Sequence, residues 1–130
     1  MASGPPATNP APRLLIDGYG PGRLRIGGVV HERPVLVLPD GVRDWPVARF
    51  ADLSRASLAA VLAVGPAVEF LVIGCGAHAM LVPPALRQEL RDAGLKLDAM
   101  DTGAACRTYN VLLAEDRRVA AALIPLPAEP

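Results

Sequence analysis

Short apolar runs separated by glycine-rich turns occupy the first third of the chain. Leu14–Ile16, Leu24–Ile26, Val29–Val30 and Val35–Leu38 have the length of β-strands, and GYGPG and IGG between them are typical turn sequences. The pattern predicts a meander of three or four strands. We interpret Gly20-Pro21-Gly22 as a tight turn, because neither a helix pattern nor Gly-Lys-Ser/Thr follows it, as a phosphate-binding loop would require.

The rest of the chain alternates between helix and strand patterns. Ser54 is a predicted N-cap of a helix over about 55–64, and Trp45 is predicted to lie in the core or over it. The next elements form a β-α-β-α-β series: a strand at 68–74, a helix over PPALRQELRDAG, a strand over LKLDAM, a helix over TGAACRTYNVLLAED capped by Thr102, and a strand at about 118–124. Their short connections indicate a sheet with a parallel portion.

The composition indicates how large a core the chain can form and in which cellular compartment it lies. A chain of 130 residues that is 52% apolar can bury a core without disulfides or metals. We predict one domain over 13–126, with a disordered tail at 1–12 and a frayed end at 127–130. The N-terminus MASGPPATNPAP lacks the features of a secretory signal or a transit peptide, two cysteines form no CxxC pair, and no apolar run reaches membrane-spanning length. These features predict a cytoplasmic protein in a reducing environment.

The charge balance and the few histidines argue against several kinds of partner. Thirteen basic and thirteen acidic residues cancel, so nothing attracts nucleic acid or an anionic membrane by bulk charge. His31 and His78 have no Cys, His or Asp partner at metal-ligand spacing. We therefore predict no nucleic-acid partner, no metal site and no cofactor.

The tetrapeptide Asp101-Thr102-Gly103-Ala104 matches the catalytic loop of retroviral-type aspartic proteases. In those enzymes the loop lies between β-strands of an almost wholly β fold. Here it is followed by AACRTYNVLLAE, which has helical spacing and no period-2 alternation. We interpret the tetrapeptide instead as the end of a strand and the start of a helix.

Two strand ends are expected to meet at this helix. VIGCGAH and DAMDTG end the two strands of a β-α-β unit, so their carboxyl ends lie at one edge of the sheet, where ligands of open α/β sheets bind. The free N–H groups of the helix favour an anion or a carboxylate. The predicted crevice is lined by residues of both strand ends and of the first turns of the helix: Gly74, Cys75, Gly76, His78, Asp101, Thr102, Gly103, Cys106, Arg107 and Asn110.

The reactive side chains of this set have two interpretations each. The helix dipole and Arg107 would lower the pKa of Cys106 and favour a thiolate nucleophile, but we favour the interpretation of Cys106 as a small residue that packs the helix onto the sheet. His78 is either a general base or a surface residue. Asn110 has poor helix propensity and is expected to bond to the backbone of a neighbouring loop. Arg107 could pair with Asp101 or Glu115, or hold an anion.

Over residues 13–125 the chain resembles the Mth-type domain family of unassigned function, which includes a mitochondrial complex I assembly factor and an adipogenesis-associated protein. The matching pieces are Gly18-Tyr19-Gly20, Gly74-x-Gly76, Met100-Asp101-Thr102, Arg107-Thr108-Tyr109-Asn110, Glu115 and Arg118. The resemblance implies a three-layer α/β fold: a central mixed sheet of about five strands, one antiparallel to the rest, flanked by helices, plus a small N-terminal β-sheet. Position 75 departs from the family pattern, in which threonine is commoner, and this counts against an essential thiol there.

Three functions remain open at this point. The first is a non-catalytic binding or protein-complex assembly module, with a protein partner or a small anionic ligand at the crevice. The second is a small-molecule enzyme that acts on an anionic substrate through Cys106 or His78. The third is a structural subunit whose apolar meander completes a homo-oligomer. A contact between a nucleophile and a base would favour the second, and a lined pocket without one would favour the first.

Overall fold

The computed structural model describes residues 14–128, and the predicted tail at 1–12 lies outside them. The first three strands form a separate antiparallel sheet, in the order β1-β2-β3. These strands are β1 (Ile16–Gly20), β2 (Arg23–Ile26) and β3 (Val29–His31). The small N-terminal sheet implied by the resemblance is therefore present.

The main sheet has five strands in the order β5-β4-β8-β6-β7. They are β4 (Val35–Leu38), β5 (Gly41–Asp44), β6 (Phe70–Gly74), β7 (Lys96–Met100) and β8 (Val119–Leu123). Strand β6 pairs in parallel with both β7 and β8, and β4 is antiparallel to β5 and β8. Four strands thus run one way and β4 alone runs the other way, which confirms the mixed sheet.

Three α-helices lie on the two faces of this sheet: α1 (Ala59–Ala63), α2 (Pro84–Asp92) and α3 (Thr102–Ala114). Alternate strand residues separate the core into two clusters, as period-2 side-chain alternation requires. Leu71 and Ile73 of β6 pack with α1 and α2, whereas Val72 packs with α3 and the small sheet. The layers are therefore α1 and α2, the main sheet, and α3 with the small sheet. The three-layer prediction is confirmed.

The predicted helix over 55–64 is only partly helical. A 3-10 turn at Ala56–Leu58 precedes the short helix α1, and a second 3-10 turn follows at Gly65–Ala67. The prediction that Ser54 is the N-cap is wrong, since the N-caps of the 3-10 turn and of α1 are Arg55 and Leu58. The Ser54 Oγ does accept the Ser57 N–H at 3.1 Å. The Ser57 Oγ in turn donates to the Ser54 carbonyl at 2.7 Å, and such side-chain bonds compete with regular helix bonds.

Trp45 lies in the core, as predicted. Its side chain is buried, and its Nε1–H donates to the Ser57 carbonyl at 2.9 Å. The strand β5 that ends just before it was not predicted. That segment, GVRD, contains a single large apolar residue, so its sequence lacks the alternation that identifies a strand.

Candidate functional site

The two strand ends meet at the carboxyl edge of the main sheet, as their sequences predict. The Cys75 N–H donates to the Met100 carbonyl at 2.8 Å, and the Thr102 N–H donates to the Gly76 carbonyl at 2.9 Å. The segment after β6 is thereby joined to the segment after β7. We refer to the residues 74–81 and 100–107 as the carboxyl edge.

The N-cap of α3 is Asp101, and the prediction that Thr102 caps this helix is wrong. The Asp101 Oδ1 accepts the Ala104 N–H at 2.9 Å, which satisfies one of the free donors of the first turn. A carboxylate suits this position because it also complements the positive end of the helix dipole. The α3 N-terminus therefore already holds a carboxylate of the protein itself.

Thr102 is instead a buried link between three segments. Its Oγ1 accepts the Gly76 N–H at 2.8 Å and donates to the Ile124 carbonyl at 2.5 Å, so both of its hydrogen-bonding functions are used inside the protein. Its side chain is fully buried. The hydroxyl that the sequence pattern predicted as the helix cap is therefore bonded to two backbone groups that are distant in the sequence.

Gly74 and Gly76 are glycines for different reasons. A Cβ at Gly74 would lie 2.9 Å from the Thr102 Oγ1 and 3.1 Å from the Thr102 Cα, so a larger residue would push β6 and α3 apart. At Gly76 there is open space, but φ is +97°, a conformation that favours glycine. Both glycines thus shape the backbone of the carboxyl edge.

Tyr19 from β1 covers the first turn of α3. A Cβ at Gly103 would lie 2.9 Å from the Tyr19 hydroxyl and 3.1 Å from its ring. The Arg107 Nη1 donates to the same hydroxyl at 2.6 Å. The close approach that Gly103 was expected to permit is made by a tyrosine of the protein, and Arg107 is bonded to that tyrosine rather than to Asp101 or Glu115.

Cys106 packs between α3 and the sheet. It is only 2% exposed, and this burial raises the pKa of its thiol to about 12, against a smaller opposing effect of Arg107. The expectation that the dipole and Arg107 would lower this pKa is wrong. The free-energy cost of removing a thiolate from water exceeds the stabilisation that the exposed guanidinium of Arg107 provides. The packing interpretation of Cys106 is the one that the structure supports.

Cys75 is half-buried at the start of the loop that follows β6. Burial raises the pKa of its thiol as well, although the N–H groups of Met80 and Met100 oppose the effect. Both cysteines are free. His78 lies on the same loop and is exposed.

The end of the Arg107-Thr108-Tyr109-Asn110 block fastens α3 to the small sheet. The Asn110 Oδ1 accepts the Ile16 N–H at 3.0 Å, and its Nδ2 donates to the Ile16 carbonyl at 2.8 Å. The Tyr109 hydroxyl donates to the Leu14 carbonyl at 3.0 Å, and its ring is fully buried. Asn110 does bond to backbone, as predicted, but to a strand rather than to a loop.

Met80 and Leu81 are exposed apolar residues at the carboxyl edge, which the sequence analysis did not single out. Their side chains are 50% and 84% exposed. The Met80 N–H interacts with the Cys75 thiol, which places this loop against the end of β6. The sequence signal that could have identified them is a pair of large apolar residues that follows a glycine-rich strand end and belongs to no helical or strand pattern.

In residues 14–128, no group of three or more His, Cys, Asp or Glu side chains could hold a metal ion. None of the helices in this range is both long and apolar enough to cross a membrane.

Comparison with known proteins identifies the family. Residues 16–124 match the model of a protein family of unknown function, DUF498/DUF598. The chain belongs to the DUF498 family. It is 43% identical over 114 residues to an uncharacterized protein of Rhodobacter capsulatus, with 88% of this chain and 86% of that protein covered.

Other members of the family carry more informative names. The chain is 37% identical to NADH dehydrogenase (ubiquinone) 1 alpha subcomplex assembly factor 3 of Danio rerio, covering 88% of this chain but only 66% of that protein. A solution structure from Bordetella pertussis, described as a Mth938-like domain, matches with a TM-score of 0.79 and 32% identity, covering 94% of this chain and 92% of that one. The resemblance to Mth-type domains is thereby confirmed.

Proposed function

We propose that this DUF498 member is a non-catalytic binding module for protein-complex assembly, and that its contact surface is the carboxyl edge. The observation that carries the proposal is a contrast within that edge. The side chains of Asp101 and Thr102 are bonded to the protein's own backbone, whereas Met80 and Leu81 expose apolar surface to solvent. Exposed apolar side chains with polar neighbours are typical of protein contact surfaces.

The accessible members of the predicted crevice complete this surface. His78 and Arg107 are exposed, and Asp101 is half-buried, so polar groups of both charges belong to the same carboxyl edge as the apolar pair. A polar rim around an apolar centre is the usual composition of a protein interface. We place the partner, rather than a reacting substrate, against these residues.

The relatives support a protein as that partner. Several proteins that match most of this chain are named as NADH dehydrogenase assembly factors, in Danio rerio and in Homo sapiens among others. A subunit of an NADH dehydrogenase complex is therefore the first partner to test. We propose the cytoplasm as the compartment in which the two meet.

The chemistry of the two cysteines weighs against the enzyme alternative. A thiol with a pKa of about 12 is almost entirely protonated at neutral pH and is a poor nucleophile. Cys106 is also buried in the layer between α3 and the main sheet, whereas His78 is on the surface. The binding hypothesis needs neither residue to react.

Photocrosslinking inside the host cell tests the contact surface. A photoreactive amino acid replaces Leu81 in one strain and Val111 in another; Val111 is 56% exposed on the outer side of α3 and serves as the matched control. We expect an adduct with a subunit of the NADH dehydrogenase complex from position 81 and not from position 111. Adducts of equal yield from both positions, or none from position 81, would contradict the proposed surface.

Deletion of the gene tests the function itself. We expect the amount of assembled NADH dehydrogenase complex on native gels to fall, and both the wild-type gene and Cys106→Ser to restore it. Failure of Cys106→Ser alone, with the variant folded, would favour the enzyme. An adduct from position 81 that contains only a second copy of this chain would favour the homo-oligomer.

A further inference from the structure

A second region of the molecule, the outward face of the small sheet, forms a groove of about 500 Å³. Its floor and walls come from β1, β2 and β3, on the side of the sheet that faces away from α3. The side chains of Arg23 and Arg25 and the bare backbone of Gly18 line it. None of the roles described above uses this face.

Gly18 follows a register irregularity in β1, between Ile16 and Gly18, but no packing contact requires a glycine there. Gly18 lies opposite Arg25 in the sheet, and Arg25 lies opposite Val30, so the three residues form one row across the groove. The φ angle of Gly18 is outside the left-handed range, and a Cβ there would meet nothing within 4 Å. The consequence of the missing side chain is an open floor between Arg25 and the rim of the groove.

The two arginines of the groove have no partner in the described part of the chain. Arg23 and Arg25 alternate with the buried Leu24 and Ile26, so both point to the outward face. Neither takes part in an ion pair or a hydrogen bond with another residue of 14–128, although other arginines such as Arg43 and Arg118 do. Their guanidinium donors are therefore available to an anion.

Tyr19 borders the groove, but its hydroxyl lies on the other side of the small sheet. In the register of β1 and β2 it is opposite the buried Leu24, so its side chain points to the α3 side, where it contacts Gly103 and accepts the Arg107 Nη1–H at 2.6 Å. The donors that the groove offers are therefore those of Arg23 and Arg25.

The acidic residues of the groove restrict the kind of anion. Asp17 and Glu32 also line it, so the two arginines are balanced to a net charge of zero. Both acids would repel a phosphate dianion more strongly than a singly charged carboxylate. A carboxylate can also accept the arginine N–H donors in the usual paired geometry. We propose that this groove binds a carboxylate, held by Arg23 and Arg25 beside the open position of Gly18. The proposal goes beyond the assembly function and does not depend on it.

Amide chemical shifts of the isotope-labelled full chain test the site directly. The probes are acetate, a tetrapeptide with a free carboxyl end, the same peptide with an amidated end, and inorganic phosphate. We expect acetate and the free-acid peptide to shift the amide signals of Gly18, Arg25 and Val30, and the amidated peptide to leave them unchanged. Tighter binding of the peptide than of acetate indicates a protein C-terminus as the source of the carboxylate, and the reverse indicates a small molecule.

Variants separate the groove from general surface charge. Arg25→Gln removes a donor and Gly18→Val fills the floor, and each is expected to weaken binding roughly tenfold or more. Arg55→Gln, on the opposite layer beside Glu89, removes the same charge and is expected to bind like the wild type. Unchanged binding to a folded Gly18→Val variant, no shift with any carboxylate, or tighter binding of phosphate to the same residues would overturn the proposal.

Discussion

Gly74 in the main sheet and Gly18 in the small sheet are both strand glycines whose φ angles lie outside the left-handed range. At Gly74, β6, β8 and α3 fill the space: a Cβ there would lie 2.9 Å from the Thr102 Oγ1 and 3.0 Å from the Leu123 Cδ2. At Gly18 a Cβ would meet nothing within 4 Å. A glycine in a strand therefore marks a packed contact in one region and an open surface in the other.

The polar side chains of the two regions differ in the same way. At the carboxyl edge, the Thr102 hydroxyl and the Asp101 carboxylate are bonded to backbone groups of the protein. On the outward face of the small sheet, the side chains of Arg23 and Arg25 make no ion pair or hydrogen bond with another residue of 14–128. Polar residues in a family motif can thus stabilise the fold, and the groups available to a ligand lie where internal partners are lacking.

The largest expected effect comes from adding one methyl group at the packed glycine. Gly74→Ala should lower the free energy of unfolding by about 3 kcal/mol, because the new Cβ must displace both Thr102 backbone and the Leu123 side chain. Urea unfolding of the purified variant measures this change.

Gly18→Ala is the matched control for that change. It adds the same methyl group to an open position in an extended strand, so the free energy of unfolding should stay within about 0.5 kcal/mol of the wild-type value. Similar losses in the free energy of unfolding for Gly74→Ala and Gly18→Ala would contradict the contrast between a packed and an open region.

A smaller loss of stability is expected where α3 is fastened to the small sheet. Asn110→Ala leaves the Ile16 N–H and carbonyl without their side-chain partner, and it should lower the free energy of unfolding by about 2 kcal/mol. The neighbouring exposed Val111→Ala serves as the control and should change it by less than about 0.5 kcal/mol. Equal effects of the two substitutions would show that the bonds to Ile16 contribute little.

Elements whose signals are local could be predicted from the sequence. Helix α2 begins with Pro84 and is followed by Gly94 at φ +91°, and its buried Leu86 and Leu90 have helical spacing. Strand β5 has no such signal, since Val42 is its only large apolar residue and its pairing with β4 identifies it. Periodicity and caps are encoded within a few residues, whereas edge-strand pairing is a property of the folded sheet.

At the carboxyl edge, the residues that come together could be predicted from the sequence, but their individual hydrogen bonds could not. Joining the ends of β6 and β7 follows from β-α-β topology, so the residues brought together could be predicted. The role of Thr102 could not, because its partners Gly76 and Ile124 lie 26 and 22 residues away in the chain. The contact between Tyr19 and Gly103 likewise joins two motifs that the sequence presents as separate.

Cys106 gives the smallest predicted effect, and it depends on pH. Its thiol has a pKa of about 12 in the folded protein, whereas an exposed cysteine in the unfolded chain ionises near pH 8.5. Between these values the unfolded chain loses a proton that the folded chain keeps, so the folded state binds more protons and its stability falls as pH rises. The loss should be about 1.4 kcal/mol per pH unit above roughly pH 9 and absent below about pH 8.

Urea unfolding of wild type and Cys106→Ala at pH 8 and pH 10 isolates this contribution, because the other titrating groups are common to both proteins. The wild type should lose about 1.4 to 2 kcal/mol more than the variant between these two values. The variant should be less stable than the wild type at pH 8, since the substitution removes a buried atom, and the difference should narrow at pH 10. Equal pH dependence of the two proteins would mean that Cys106 ionises readily in the folded state, and the carboxyl edge would then hold a reactive thiol instead of a packing residue.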